Sequence, residues 1–77
     1  MDESEIRELL VAGLGECDIE MQTDGARLGL LITAGAFDGL NRVKRQQLVY
    51  GLLKEKIASG EIHAVSMKCL TREERSS

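Results

Sequence analysis

Aromatic residues are nearly absent: one Phe, one Tyr and no Trp in 77 residues. A core with so few rings must be aliphatic, drawn from Leu, Ile, Val, Met and Ala. Cysteine is equally scarce. Cys17 and Cys69 make no disulfide framework and no Cys-x-x-Cys occurs, so a reducing, cytoplasmic setting is expected. One His and two scattered Cys cannot close a metal site within a single chain. No apolar run approaches the roughly 20 residues of a membrane helix, and no basic-then-apolar signal segment opens the chain. No membrane partner is expected. A Gly-x-Ser-x-Gly motif, a Gly-x-x-x-x-Gly-Lys phosphate loop and any nucleophile–base–orienter set are missing too. The expectation is a protein that is not an enzyme.

What is present fits one small domain over residues 1–77, with its core at about 4–71 and a frayed tail at 72–77. Hydrophobic residues make up 43% and charged residues 30%, the balance of a soluble globular domain. The net charge of −3 hides a division. Residues 1–38 carry −7 and residues 39–77 carry +4. The second half can therefore meet an anionic partner although the whole chain is acidic.

Periodicity gives the elements. Asp2-x-x-Glu5 resembles a capping box, and Ile6, Leu9, Leu10 and Leu14 share a helical face. A helix over about Ser4–Leu14 is predicted, stopped by Gly13 and Gly15. Cys17, Ile19 and Met21 alternate with polar residues, as do Leu28, Leu30 and Ile32 after the turn Thr23-Asp24-Gly25. This pattern predicts a β-hairpin. Gly29 marks a bulge or a close contact. Phe37, the one large aromatic of its region, should plug the space between sheet and helices.

Asn41 is a candidate N-cap for a long helix. Val43, Gln47, Tyr50, Leu53 and Ile57 form its expected stripe, widened by Val49 and Leu52. Gly51 in mid-helix points to close packing against another backbone. Ile62–Cys69 reads as a third strand that returns to the sheet through a crossover. Thr71-x-x-Glu74 looks like the cap of a last helix, cut short by the end of the chain. The fold class is α+β, one three-stranded sheet with helices on one face.

Two clusters could carry chemistry. His63 follows Gly60-Glu61 at a loop–strand junction, and imidazole is the commonest metal ligand near neutral pH. The alternative is a surface His bonded to its own loop. Arg42, Lys44 and Arg45 open the long helix, where cations oppose the helix dipole and an incoming phosphate would reverse that cost. The alternative there is a solvated basic face. Cys17 and Cys69 fall on apolar strand faces, where inert thiols are the default.

Phe37-Asp38-Gly39, the basic run Arg42-Val43-Lys44-Arg45, Val49-Tyr50 and Ile62-His63-Ala64-Val65-Ser66 closely resemble the BolA-like proteins, in particular their short bacterial branch. The match runs over about Ile6 to Thr71. The resemblance implies a fold similar to the type II KH domain, αββααβ. It implies partnership with a monothiol glutaredoxin through a shared 2Fe–2S cluster, held by a glutaredoxin Cys, a glutathione thiol and ligands from the BolA-like partner. The alternative it implies is a DNA-binding transcriptional regulator.

The invariant family His falls on His63, which gives His63 the cluster-ligand role. The second family ligand, a His or Cys between the first two strands, falls on Arg27, so this sequence departs from the pattern. Cys17 remains as a candidate ligand, and Cys69 lies past the third strand. A KH domain grips nucleic acid with Gly-x-x-Gly. The corresponding Gly39-Leu40-Asn41-Arg42 lacks the second Gly, which leaves Arg42, Lys44 and Arg45 as the nucleic-acid-binding candidates. The free chain is expected to be a monomer or a weak homodimer.

Overall fold

The computed structural model describes residues 1–76. The chain opens on α1 (Glu3–Leu14). The Asp2 carboxylate accepts from the Glu5 N–H at 3.2 Å, and Gly15 ends the helix at φ 75°. Gly13 stays inside the helix. A Cβ at Gly13 would collide with the Leu52 side chain, so this glycine lets a second helix approach.

Strands β1 (Cys17–Asp24) and β2 (Arg27–Ala34) pair antiparallel in unbroken register, from Cys17 opposite Ala34 to Asp24 opposite Arg27. Gly25 supplies the positive φ, 60°, that the tight turn needs. No bulge occurs at Gly29, which pairs directly with Gln22. A 3-10 turn, Gly35–Phe37, then leads through Gly39 to α2 (Arg42–Leu52). Asn41 caps α2 by accepting from the Lys44 N–H at 2.9 Å.

The single long helix expected from the sequence is two. Leu53 leaves helical geometry at φ −101°, ψ 6°, and α3 (Lys54–Ala58) follows. Gly51 stands at this break with open space around it, not against another backbone. The buried stripe is also rotated from the expected one. Val49 and Leu53 are fully buried and Leu48, Leu52 and Ile57 partly so, whereas Val43 is 59% and Tyr50 43% exposed. Two cations share the buried face. Arg45 and Lys56 turn inward with this face, and their charged ends meet partners described below.

β3 (Ala64–Leu70) pairs parallel with β2, giving the sheet order β1-β2-β3. Its expected start at Ile62 is corrected. Ile62 and His63 precede the strand, and Ile62 is buried while its N–H donates to the Lys56 carbonyl. The fold is the expected α+β arrangement αββααβ, extended by the 3-10 turn and a final helix.

In place of a frayed tail, Arg72–Ser76 forms α4. A complete capping box starts it: the Thr71 N–H donates to Glu74 at 2.8 Å and the Glu74 N–H to the Thr71 hydroxyl at 3.1 Å. Ser77, the last residue of that expected tail, lies outside the described residues. α4 lies across one end of the sheet, and Arg75 donates to the buried Thr33 hydroxyl on the face away from the main core.

That core is aliphatic around one ring. Ile6, Leu10, Leu28, Ile32, Leu53 and Ile62 share one buried cluster with the fully buried Phe37. Phe37→Ala should cost about 3–5 kcal/mol, enough to unfold much of a domain this small, read as a lower urea midpoint. Gly51→Ala, entering open space within a helix, should raise stability by about 0.5–1 kcal/mol in the same titration.

Candidate functional site

His63 sits where the crossover from α3 enters β3. Its backbone N–H donates to the Ala26 carbonyl at 2.8 Å, which pins it beside the β1–β2 turn. The side chain is exposed, and its ring nitrogens make no hydrogen bond or ion pair among the described residues. Of the two readings open in the sequence, a ring bonded to its own loop is therefore set aside: the backbone is held and the imidazole is free. Nε2 lies 3.6 Å from where a Gly60 Cβ would stand, so Gly60, at φ 85°, leaves the ring open on that side.

The loop that carries His63 is folded around Lys56. The Lys56 ammonium donates to Glu5 at 2.6 Å and Glu61 at 2.9 Å. Its carbonyl accepts from the Ile62 N–H and from the Ser59 hydroxyl. The hydrogen bond to Glu5, then that to Glu61, raises the Lys56 pKa above its ordinary value, so the ammonium is retained. One residue thus joins α1, α3 and the approach to His63. Sequence reasoning missed it, because a lysine is not an obvious core residue.

Arg27 pairs in register with Ala64, next to His63. The position where the family pattern has its second ligand is therefore beside the first in space, but it holds an exposed arginine. Cys17 is not brought to this end. It pairs with Ala34 at the far end of the hairpin, about 23 Å away along β2 at 3.3 Å per residue. Cys69, opposite Ile32, lies at that far end too. Burial raises the pKa of both thiols above the ordinary range, most simply for Cys69, where only Arg45 opposes the effect. No group of three or more His, Cys, Asp or Glu able to hold a metal occurs among the described residues. One free imidazole fits a metal group shared with a partner and not one resident in this chain.

The basic cluster occupies the opposite end of the sheet and divides. Arg42 and Lys44 are exposed, in no ion pair among the described residues. Arg45 is engaged as a strap. Its guanidinium donates to the Leu40 carbonyl at 2.8 Å, the Cys69 carbonyl at 3.1 Å and Glu74 at 2.6 Å. It joins the start of α2 to β3 and α4.

The sequence model of the family described as BolA-like protein matches residues 15–74. The chain belongs to the BolA-like family. Among curated relatives, the acid stress protein IbaG of Escherichia coli K12 is 41% identical over 71 residues, covering 92% of this chain and 84% of that protein. Among solved structures, a BolA protein homologue from Coxiella burnetii superimposes with a TM-score of 0.84 at 27% identity, covering 100% of this chain and 99% of that one. BolA1 from Arabidopsis thaliana gives 0.83 at 32% identity, covering 92% of each chain. No helix of this BolA-like chain is long and apolar enough to cross a membrane among the described residues.

Glu74 reports on the strapped end. The Arg45 guanidinium first, and the Thr71 N–H second, hold its carboxyl below the ordinary glutamate value. A depressed folded-state pKa gives stability that is complete above about pH 4.3 and disappears as pH falls through the folded value. Between pH 6 and pH 2 the native chain should thus lose more stability than Glu74→Gln, which has no carboxylate to lose. Denaturant titrations of the two across that range measure the difference.

Proposed function

We propose that this BolA-like chain is a non-enzymatic adaptor that binds a monothiol glutaredoxin and lends His63 to a 2Fe–2S cluster shared with it. The observation that carries the reading is the free imidazole of His63 on a pinned backbone. A ligand to a shared group must reach outward while its main chain stays fixed, since ordering a loose ligand would cost conformational entropy on every encounter. The partner and glutathione supply thiolates, and this chain supplies one imidazole nitrogen. The setting is iron–sulfur trafficking or iron sensing in the cytoplasm.

With Arg27 in place of a second donor, His63 stands as the chain's single contribution. Cys17 drops out of the ligand set, because a ligand about 23 Å from His63 cannot reach the same cluster.

The test is anaerobic reconstitution of the cluster on a monothiol glutaredoxin with glutathione, with this chain added. A heterodimer with an altered visible circular dichroism spectrum is expected, and His63→Ala should abolish the alteration. Arg27→His, which adds a donor in register with Ala64, should change the spectrum further. A spectrum indifferent to the native chain would refute the adaptor reading.

A second reading, DNA binding, rests on Arg42 and Lys44, which are exposed and unpaired among the described residues. With Arg45 engaged elsewhere, two phosphate contacts would give a shallow salt dependence, a slope of about −2 in log–log form for duplex DNA. Reversal of both charges would abolish it, whereas His63→Ala would spare it.

A further inference from the structure

β3 is an edge strand, and the hydrogen bonds at its two ends fix which way its backbone points. The Ala64 N–H donates to Ala26 at 3.4 Å, toward β2. The Cys69 carbonyl receives Arg45 at 3.1 Å from the other side. Successive residues of a strand alternate, so Val65, Met67 and Cys69 turn their N–H and C=O groups away from the sheet. Apart from the Arg45 bond to Cys69, no loop or side chain bonds these groups among the described residues. Natural sheets cover or charge such an edge. The opposite edge has its own arginine, with Arg7 donating to the Ile19 carbonyl at 3.3 Å.

The open part of β3 faces a groove. Arg42 and Gln46 line it from α2 and Met67 and Lys68 from the strand, and the one acid in its lining, Glu74, is paired with Arg45. Arg42, Lys44 and Lys68 are exposed and form no ion pair among the described residues. The amino end of α2, an 11-residue helix, adds the positive end of its dipole.

We infer that the β3 edge between Val65 and Met67 is a docking site for an extended acidic peptide segment of another protein, which adds a strand to the sheet. Two features select this occupant. The outward backbone offers donors and acceptors in alternation, which a peptide backbone matches and a phosphodiester, with acceptors only, does not. The cations flanking the edge select carboxylates. They also select against a second copy of this chain paired through the same edge, because that would bring Arg42 and Lys68 of both copies together. The site ends at Cys69, where the Arg45 guanidinium occupies the carbonyl, so the paired segment is about five residues long. The inference does not use the imidazole of His63, which stands two residues before Val65, about 7 Å along the strand direction.

The probe is a nine-residue peptide alternating valine with aspartate, blocked at both ends and titrated into the 15N-labelled full chain. Amide shifts and slowed hydrogen exchange at Val65 and Met67 are expected. The double variant Arg42→Glu, Lys44→Glu, in which both positions are exposed, should weaken binding about tenfold. Met67→Pro removes an outward N–H without touching the β2 ladder and should abolish binding. Because a proline can cost the strand stability, the same peptide N-methylated at alternate residues tests the pairing on the unaltered protein and should not bind. Undisturbed Val65 and Met67 amides at millimolar peptide would overturn the inference, as would equal binding of the N-methylated peptide. A deoxythymidine decamer that shifts these residues where the peptide does not would assign the groove to nucleic acid and overturn it equally.

Discussion

A charge withdrawn from water must be met by a partner, and in this chain that requirement is met twice on the buried face of the helix pair. Lys56 is only 8% exposed and Arg45 is half-buried, yet both lie on the face that α2 and α3 turn toward the sheet. Their stems add to the apolar layer around Val49 and Leu53 while their heads reach carboxylates and carbonyls. Without Glu5, Glu61 and Glu74 the same rotation would strand two cations in a poorly hydrated place. With them, the face carrying Val43 and Tyr50 is left outside.

The two straps do different work at opposite ends of the sheet. Lys56 gathers α1, α3 and the loop before His63, so the free imidazole stands on a fixed support. Arg45 gathers α2, β3 and α4, and so removes itself from the basic cluster while closing the edge of β3 at Cys69. What remains free at each end is therefore simple. One end presents a free imidazole, and the other presents exposed cations beside an open strand edge.

The elements legible in the sequence were those governed by neighbours along the chain. The caps at Asp2 and Asn41 and the box Thr71-x-x-Glu74 formed as read, because a cap needs only a side chain and an N–H three residues away. The hairpin followed from alternation around Gly25, and Phe37 took the central position expected of it. The stripe of the long helix was misread because two apolar faces compete there. Val43 and Tyr50 extend the apolar pattern in sequence and are left outside, whereas the face that is buried includes a lysine and an arginine. Gly51 misled for a related reason: it stands at the break before Leu53, and Gly13 makes the close approach instead. Of the site residues, His63 and the family pattern around it were visible, but neither the clamp on its loop nor the distance of Cys17 was.

The sequence by itself determined the order of elements, the caps, the aliphatic core and membership of the BolA-like family. Each of these depends on residue type and on spacings within a few turns or one hairpin. Tertiary structure alone decided which helix face is buried, that Arg45 is a strap, that Arg27 stands beside His63, and that Cys17 lies at the far end. It also decided that β3 keeps an open edge. Those facts rest on contacts between residues far apart in the chain, such as Glu5 with Lys56, Arg45 with Cys69 and Glu74, and Ala26 with His63. No local periodicity encodes them, because the energy of pairing a buried charge depends on which distant group the fold brings within reach.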